Sequence, residues 1–600
     1  MQSLLISALL LTLTAASQHI LEDDNTNPFT PGFAKLANET LDFWHVPGVS
    51  VAVVDGEDTW TSAYGFSNLH PLIPVTTDTL FYGASTTKAF TALSLALLIS
   101  SGNHTIPPSP PSSSLLPTKL SWKTTVSSLL GSDFILNDGY LTEHVTLEDI
   151  LSHRSGVPRH DLSYGSTARH EDDFPENKNS SNEEKRKKGI KDVLRSLRYL
   201  DVTAGLRERW QYCNIMYVVA SAVIEKLSGR ELGRFLAGEV WGVLGMDRTY
   251  FTTPSALHAP SPLAQGYVYI PSNHTYLPVP YMDLTLVSGA GSIISNVHDY
   301  SKWLRFLMSG DGPLSLPEIK EYLKPRMLME DDGKKANTGP QAYALGWMTG
   351  SYGGYEYFEH SGGLEAFGTE VIFFPALNFG VTAFGNTGIT SNAAEQRLVW
   401  HLIDEKLGIP PEKRFDWNQS NLKAWKQMKH AYENAPSIYY PSLPSPPFPL
   451  PLPLENYTGT YTHPAYQNLT IALCNSSSPS DPTSPRFPFA TPPAYPSSSP
   501  SPSSQGPPSQ HQYQEEKEKE KQTLCASRRS FTWPIILELS HISGNYFMAY
   551  ADSTTAPGMV FKQALPAEFA VGVDGVVGRV GVAFEPEMGR EGRVWFERVE

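Results

Sequence analysis

Cysteine is scarce: three residues in 600 allow one disulfide and one free thiol, so stability must come from apolar cores. Long apolar runs are missing as well. After the first seventeen residues no segment is long and apolar enough to anchor the chain in a bilayer. Basic side chains are outnumbered, 46 Lys and Arg against 61 Asp and Glu, giving a net charge of −15. That balance argues against nucleic acid and anionic membrane surfaces as main partners. Apolar residues, by contrast, make up 40% of the chain, enough for two or more domains in a chain of this length.

The N-terminus, Met1 to Ser17, is an apolar stretch too short to span a bilayer and closed by small residues. It predicts a signal peptide cleaved near Ser17, although a positive n-region is missing. Glycosylation sequons follow at Asn38, Asn103, Asn179, Asn273, Asn418, Asn456, Asn468 and Asn475. With the leader, they predict a secreted, released glycoprotein. Cys474 and Cys525 bracket a low-complexity stretch, where a bridge would pin both ends of a floppy loop. Cys213 is left over, as a small buried filler.

The apolar stripe of Phe33, Leu36, Ala37, Leu41, Phe43 and Trp44 predicts a helix over residues 33–44. Residues 49–54 and 59–66 read as strands joined at Asp55-Gly56, a hairpin signal. Thr146 to His153 reads as a short capped helix, and residues 164–190, with Lys185-Arg186-Lys187-Lys188, as a solvated loop. Ile215, Val218, Val219, Ala222, Val223 and Leu227 predict a second core helix. A second hairpin is read over residues 369–374 and 380–384. One hairpin early, one late and helices between them predict a single antiparallel sheet flanked by helices. Residues 437–455 form a proline-rich linker. Alternating short strands from residue 456 to 600 predict a small β-barrel or sandwich, interrupted over 475–524 by a disordered insertion.

The chemistry centres on Phe81-Tyr82-Gly83-Ala84-Ser85-Thr86-Thr87-Lys88. A serine three residues before a lysine shares a helical face with it. An amine held out of water yields protons more readily and can take one from a hydroxyl, which turns Ser85 into a nucleophile. Unpaired N–H groups at the helix start face an anion forming beside Ser85. The spacing alone is cheap, since Ser420-x-x-Lys423 repeats it in a charged helical context. Two further stretches add context. Tyr212-Cys213-Asn214 precedes the second core helix and offers a phenol to exchange protons with Lys88 and the leaving group, and an amide to bind substrate or orient Lys88. Tyr432-x-Asn434 and Tyr466-x-Asn468 match the same pattern, so this spacing alone is as cheap as the first. His360-Ser361-Gly362-Gly363 precedes the late hairpin. The N–H of Gly363 would be a second oxyanion donor, Gly362 would line the substrate, and His360 or Ser361 would contact a substrate carboxylate or carbonyl.

In their order, Ser85-x-x-Lys88, Tyr212-x-Asn214 and His360-Ser361-Gly362 resemble the serine β-lactamase and penicillin-binding-protein superfamily, specifically its class C, carboxypeptidase and esterase-like branch. Val46-Pro47-Gly48, Leu151-Ser152-His153-Arg154-Ser155-Gly156-Val157-Pro158, Gly289-Ala290-Gly291 and Leu345-Gly346-Trp347 resemble it too. The third motif carries His360 where β-lactamases proper carry lysine, as esterase and aminopeptidase-like members do. The resemblance spans about residues 30–410, and the C-terminal part resembles the lipocalin-like barrel of some members.

It implies an α/β (α+β) fold, a hydrolase domain over 18–436, and an acyl-enzyme on Ser85 with Lys88 and Tyr212 as coupled bases. It implies no metal or organic cofactor, and a small-molecule or peptide substrate with an amide or ester bond. Acyl transfer by the same residues and an inactive ligand-binding relative are the competing readings.

Overall fold

The computed structural model describes residues 27–107, 117–165, 182–271, 273–330, 339–475, 522–556 and 562–599. The expected leader and the sequon at Asn179 lie outside them. Helix α1 (Pro31–Trp44) starts where the Thr30 hydroxyl accepts the Phe33 N–H and Pro31 fills the first turn. Strands β1 (Gly48–Asp55) and β2 (Asp58–Leu69) form the early hairpin, with Asp55 opposite Asp58. Strand β3 (Leu72–Pro74) adds an outer edge.

The remaining strands of this sheet come late: β4 (Met327–Leu328), β5 (Ala342–Tyr343), β6 (Met348–Tyr352), β7 (Tyr355–Leu364), β8 (Phe367–Phe374) and β9 (Phe379–Gly385). Their order is β4-β5-β6-β7-β8-β9-β1-β2-β3, antiparallel throughout. The late hairpin β8–β9 therefore lies against the early one, Val51 opposite Ala383.

Helices occupy both faces: α2 (Thr87–Ser100), α3 (Leu147–Leu151), α4 (Asn182–Ser196), α5 (Asn214–Ser228), α6 (Val297–Ser309), α7 (Thr390–Lys406) and α8 (Trp417–Glu433). Period-2 alternation assigns the faces. Val49, Val51 and Val53 join α1, α7 and Trp417 of α8 in one core, while Ala52 and Val54 join α2, α5 and α6 in the other. No helix among the described residues is long and apolar enough to cross a membrane.

Helix α4 corrects the reading of residues 164–190 as loop. Of that stretch, 166–181 lie outside the described residues, but 182–190 are helical. Ile190, Val193 and Leu194 form a buried stripe, and Arg186 is buried in ion pairs with Glu225 at 2.8 Å and Glu231 at 3.1 Å. Within the charged run Arg186 is drawn into the structure by its two carboxylate partners, while Lys187 and Lys188 stay exposed.

The C-terminal part is a closed antiparallel barrel of β10 (Gly459–His463), β11 (Gln467–Asn475), β12 (Gln522–Arg528), β13 (Ile535–Ser543), β14 (Tyr546–Ser553), β15 (Gln563–Val571), β16 (Val577–Val582) and β17 (Val594–Arg598). Closure removes the sheet edges. Asn475 and Gln522 to Leu524, read as ends of a disordered insertion, are strand residues, because each continues a ladder between β11 and β12. Residues 476–521 lie outside the described ones.

Cys474 and Cys525 form a disulfide across that pair, their Cα atoms 5.9 Å apart. Cys213 is a buried free thiol. The proline-rich segment packs on the barrel, where the Phe448 N–H donates to Ser543 Oγ at 3.0 Å. Asn38, Asn103, Asn273, Asn456 and Asn468 are exposed, whereas Asn418 accepts a 2.9 Å hydrogen bond from the Trp44 indole.

Candidate active site

Ser85 lies not on α2 itself but on the 3-10 turn Ala84–Thr86 that leads into it. The turn is fixed from below: the Gly83 N–H donates to Ile293 O at 2.7 Å, and Thr86 Oγ1 lies 2.7 Å from Tyr300 Oη. Ala84 is held at φ 46°, a left-handed conformation that costs a residue with a Cβ. The strained turn presents a partly exposed Ser85 while its neighbours are buried.

Lys88 follows within the first turn of α2 and is fully buried. Its Nζ is 3.1 Å from Ser85 Oγ and donates to Ala290 O at 2.9 Å. The Gly289-Ala290-Gly291 segment thus supplies the carbonyl that aims the amine. Gly346 lets another segment close over it, since a Cβ there would sit 2.8 Å from Lys88 O and its φ is +83°. Burial first, and then the nearby charge of Arg159, holds the Lys88 amine well below its usual range.

Tyr212 completes the arrangement, with its phenol 2.9 Å from Ser85 Oγ. Burial raises the Tyr212 phenol above its ordinary value. Beneath its ring lies His153, 4.3 Å away between centroids, whose Nδ1 accepts the Cys213 N–H at 3.0 Å. Desolvation pushes His153 well below its usual range, so this floor is neutral. Its loop is anchored by the capped helix α3. Arg154 donates to Asp149 at 2.7 Å and pairs with Glu148, and Arg207 adds two 2.8 Å bonds to Asp149.

Strand β7 brings the third motif alongside. Gly362 packs so closely that a Cβ would lie 2.4 Å from Gly83 O and 3.0 Å from Ala84 Cβ. Its carbonyl accepts from Asn392 Nδ2 at 2.7 Å. Ser361 is partly exposed and Gly363 exposed. The structure thus gathers Ser85, Lys88, Tyr212, Ser361, Gly362 and Gly363 in one place.

His360 and Asn214, expected at the substrate, are engaged elsewhere. His360 is only 2% exposed, with Nε2 2.9 Å from Tyr343 Oη and Nδ1 2.7 Å from Ser361 O. Burial lowers it to about 3, so it is a neutral, doubly bonded support for β7. The Asn214 amide donates to Asp161 Oδ1 at 2.9 Å, away from the Lys88 amine it was expected to orient.

Asp161 is a junction that the sequence motifs did not reveal. It also accepts from Tyr164 Oη at 2.8 Å and from Arg159 Nε at 2.8 Å. The Arg159 guanidinium lies 4.8 Å from the Tyr212 ring centroid. The clue was at hand, because both residues directly follow the Leu151 to Pro158 stretch. Among the described residues no group of three His, Cys, Asp or Glu is placed to hold a metal ion. Chemically, the arrangement is a hydroxyl between a desolvated amine and a phenol, able to lose its proton to one while the other delivers a proton nearby.

A family model described as Beta-lactamase matches residues 33–405. Two fungal relatives are similar over nearly the whole chain. Unguisins hydrolase ungD' of Aspergillus campestris is 37% identical, over 96% of this chain and 93% of its own length. Unguisins hydrolase ungD of Aspergillus violaceofuscus is 35% identical, over 96% and 92%. Among solved structures, the octameric penicillin-binding protein homologue from Pyrococcus abyssi aligns over 94% of this chain and 99% of its own. Its TM-score is 0.52 at 18% identity, a likeness of fold.

Proposed function

Because this chain belongs to the β-lactamase family and is a hydrolase of it, we propose that it is a secreted serine hydrolase that cleaves an amide or ester bond through an acyl-enzyme on Ser85. Unguisins, the compounds named for its two fungal relatives, are the proposed substrate class. One observation carries the reading: Ser85 Oγ, partly exposed, sits 3.1 Å from Lys88 Nζ and 2.9 Å from Tyr212 Oη.

Lys88, as the free amine, takes the Ser85 proton while Ser85 Oγ attacks the carbonyl carbon. The oxyanion forms between the N–H groups of Ser85 and Gly363, and one such donor contributes roughly a hundred- to a thousandfold in rate. The proton passes through Tyr212 to the leaving nitrogen or oxygen, and the bond from that atom to the carbonyl carbon breaks. Water, deprotonated by the same pair, then attacks the acyl-enzyme, releasing the acid and restoring Ser85. Lys88 and Tyr212 share their protons, so the pair acts as one acid–base unit.

The test compares wild type with Ser85→Ala on an unguisin, a short acyl ester, a cephalosporin and a D-alanyl amide, with mass spectrometry of the trapped acyl-enzyme. The expected result is unguisin hydrolysis with an acyl mass on Ser85, and a loss of at least roughly a thousandfold in Ser85→Ala. Turnover that survives in Ser85→Ala would remove Ser85 from the reaction. Activity confined to esters would instead move the substrate class.

A further inference from the structure

Arg159 is the exposed cation of this cleft, its side chain 48% accessible. It follows Pro158 and precedes His160, which is held at φ 46°. Asp161 Oδ2 fixes Nε at 2.8 Å, and the guanidinium carbon lies 4.8 Å from the Tyr212 ring centroid. Lys88 Nζ lies 4.7 Å from that same centroid. Two basic groups therefore share one ring.

Their supports are unequal. Arg159 has a carboxylate, while Lys88 Nζ donates to the neutral Ser85 Oγ and Ala290 O. A guanidinium does not lose its proton at any working pH. An amine can, so the repulsion is relieved at Lys88.

The other groups facing Lys88 do not supply this charge. Tyr212 and Tyr217 are neutral phenols raised by burial, and Cys213 is a thiol pushed up to about 12. His153 and His360 are imidazoles kept neutral by burial. Asp161 acts in the opposite sense and favours the ammonium.

We propose that Arg159 is a positioning residue of the acylation step, moored by Asp161 against Tyr212 so that its permanent charge keeps Lys88 as the free amine beside Ser85. This rests on the reading of Ser85 as nucleophile. Removing Arg159 alone has a double effect: the repulsion disappears and the Asp161 charge is left uncompensated. Removing both charges restores the balance.

The experiment follows kcat/KM for a short acyl ester from about pH 5.5 to about pH 10, with the acyl mass on Ser85 located by mass spectrometry. In Arg159→Gln the acidic limb should move up by about one pH unit. The rate should fall about tenfold on that limb and approach wild type at high pH. Arg159→Lys should keep the wild-type limb, and Arg159→Gln with Asp161→Asn should move back toward it. An equal loss at every pH, or no change at all, overturns the proposal while Ser85 still carries the acyl group. Turnover without an acyl mass on Ser85, persisting in Ser85→Ala, overturns both readings.

Discussion

Gly362 shows how little room separates the reacting serine from the strand beside it. A methyl group there would meet Gly83 O at 2.4 Å, a distance real Cβ atoms do not adopt. Ala84, held at φ 46°, cannot yield without relaxing the turn that presents Ser85. In Gly362→Ala the strand must back away, carrying the Gly363 N–H with it. The expected kcat/KM loss is roughly a hundredfold, the cost of a misplacement of about 1 Å. Steady-state rates on a short ester, set beside a thermal melt, check it, and an unchanged rate would show that β7 does not set the oxyanion geometry. At this scale Ser85, Lys88 and the Gly362-Gly363 pair were legible because their spacing and residue types encode local geometry. The aim of a side chain was not. His360 and Asn214 turn to Tyr343 and Asp161 through contacts that depend on three-dimensional packing, and Arg159 gains its meaning only where its loop meets Tyr212.

Helix α7 carries a carboxyl into the core behind that strand. Glu395 is fully buried, and its carboxyl is held well above the usual range, by desolvation first and then by the charge of Glu370. It stays protonated when folded, whereas the unfolded chain releases the proton above the ordinary value of 4.5. The unfolded state thus binds fewer protons over that window, so this group lowers stability as pH rises above about 4.5. Glu395→Gln keeps an oxygen for the Asn392 amide, which lies 3.4 Å away and also holds Gly362 O. Its expected melting temperature is higher than wild type at neutral pH by about 2–4 °C, with the gain vanishing near pH 4. Melts at both pH values decide, and a gain that is the same at both would refute the buried-acid explanation. Elements were legible where apolar period and caps agree, as in α1, α3 and the β1–β2 hairpin. Helix α4 was missed because its first turns are a charge run whose partners Glu225 and Glu231 lie some forty residues on, while its apolar stripe, Ile190, Val193 and Leu194, begins only where the stretch read as loop ends.

For the molecule as a whole, the barrel holds both walls of the cleft. On one side, Arg528 donates to Leu162 O at 2.9 Å, Trp533 packs on Tyr164 at 5.4 Å, and Glu585 accepts the His160 N–H at 2.6 Å. These contacts support the loop that carries Arg159 and Asp161. On the other, the buried Glu365, two residues beyond Gly363, accepts from Ser553 Oγ at 3.0 Å and from Thr555. Most barrel strands were legible from alternation, but β11 and β12 flank the low-complexity stretch and were not. The docking was illegible too, since it joins residues as far apart as 425 positions. Because Tyr164, Tyr466 and Trp533 sit in one buried cluster with α2 and α5, barrel and catalytic body should unfold in a single calorimetric transition. Glu365→Ala removes the acceptor of the buried Ser553 hydroxyl and the half-buried Thr555 hydroxyl, which keep each other at 3.1 Å, so the cost is that of one lost acceptor, about 1–3 kcal/mol in all. The expected outcome is a lower melting temperature together with a roughly tenfold lower kcat, because the β7–β8 turn loses the contact that fixes its position. Two separate transitions in wild type, or full activity in a destabilised Glu365→Ala, would mean that the barrel is carried alongside the site without shaping it.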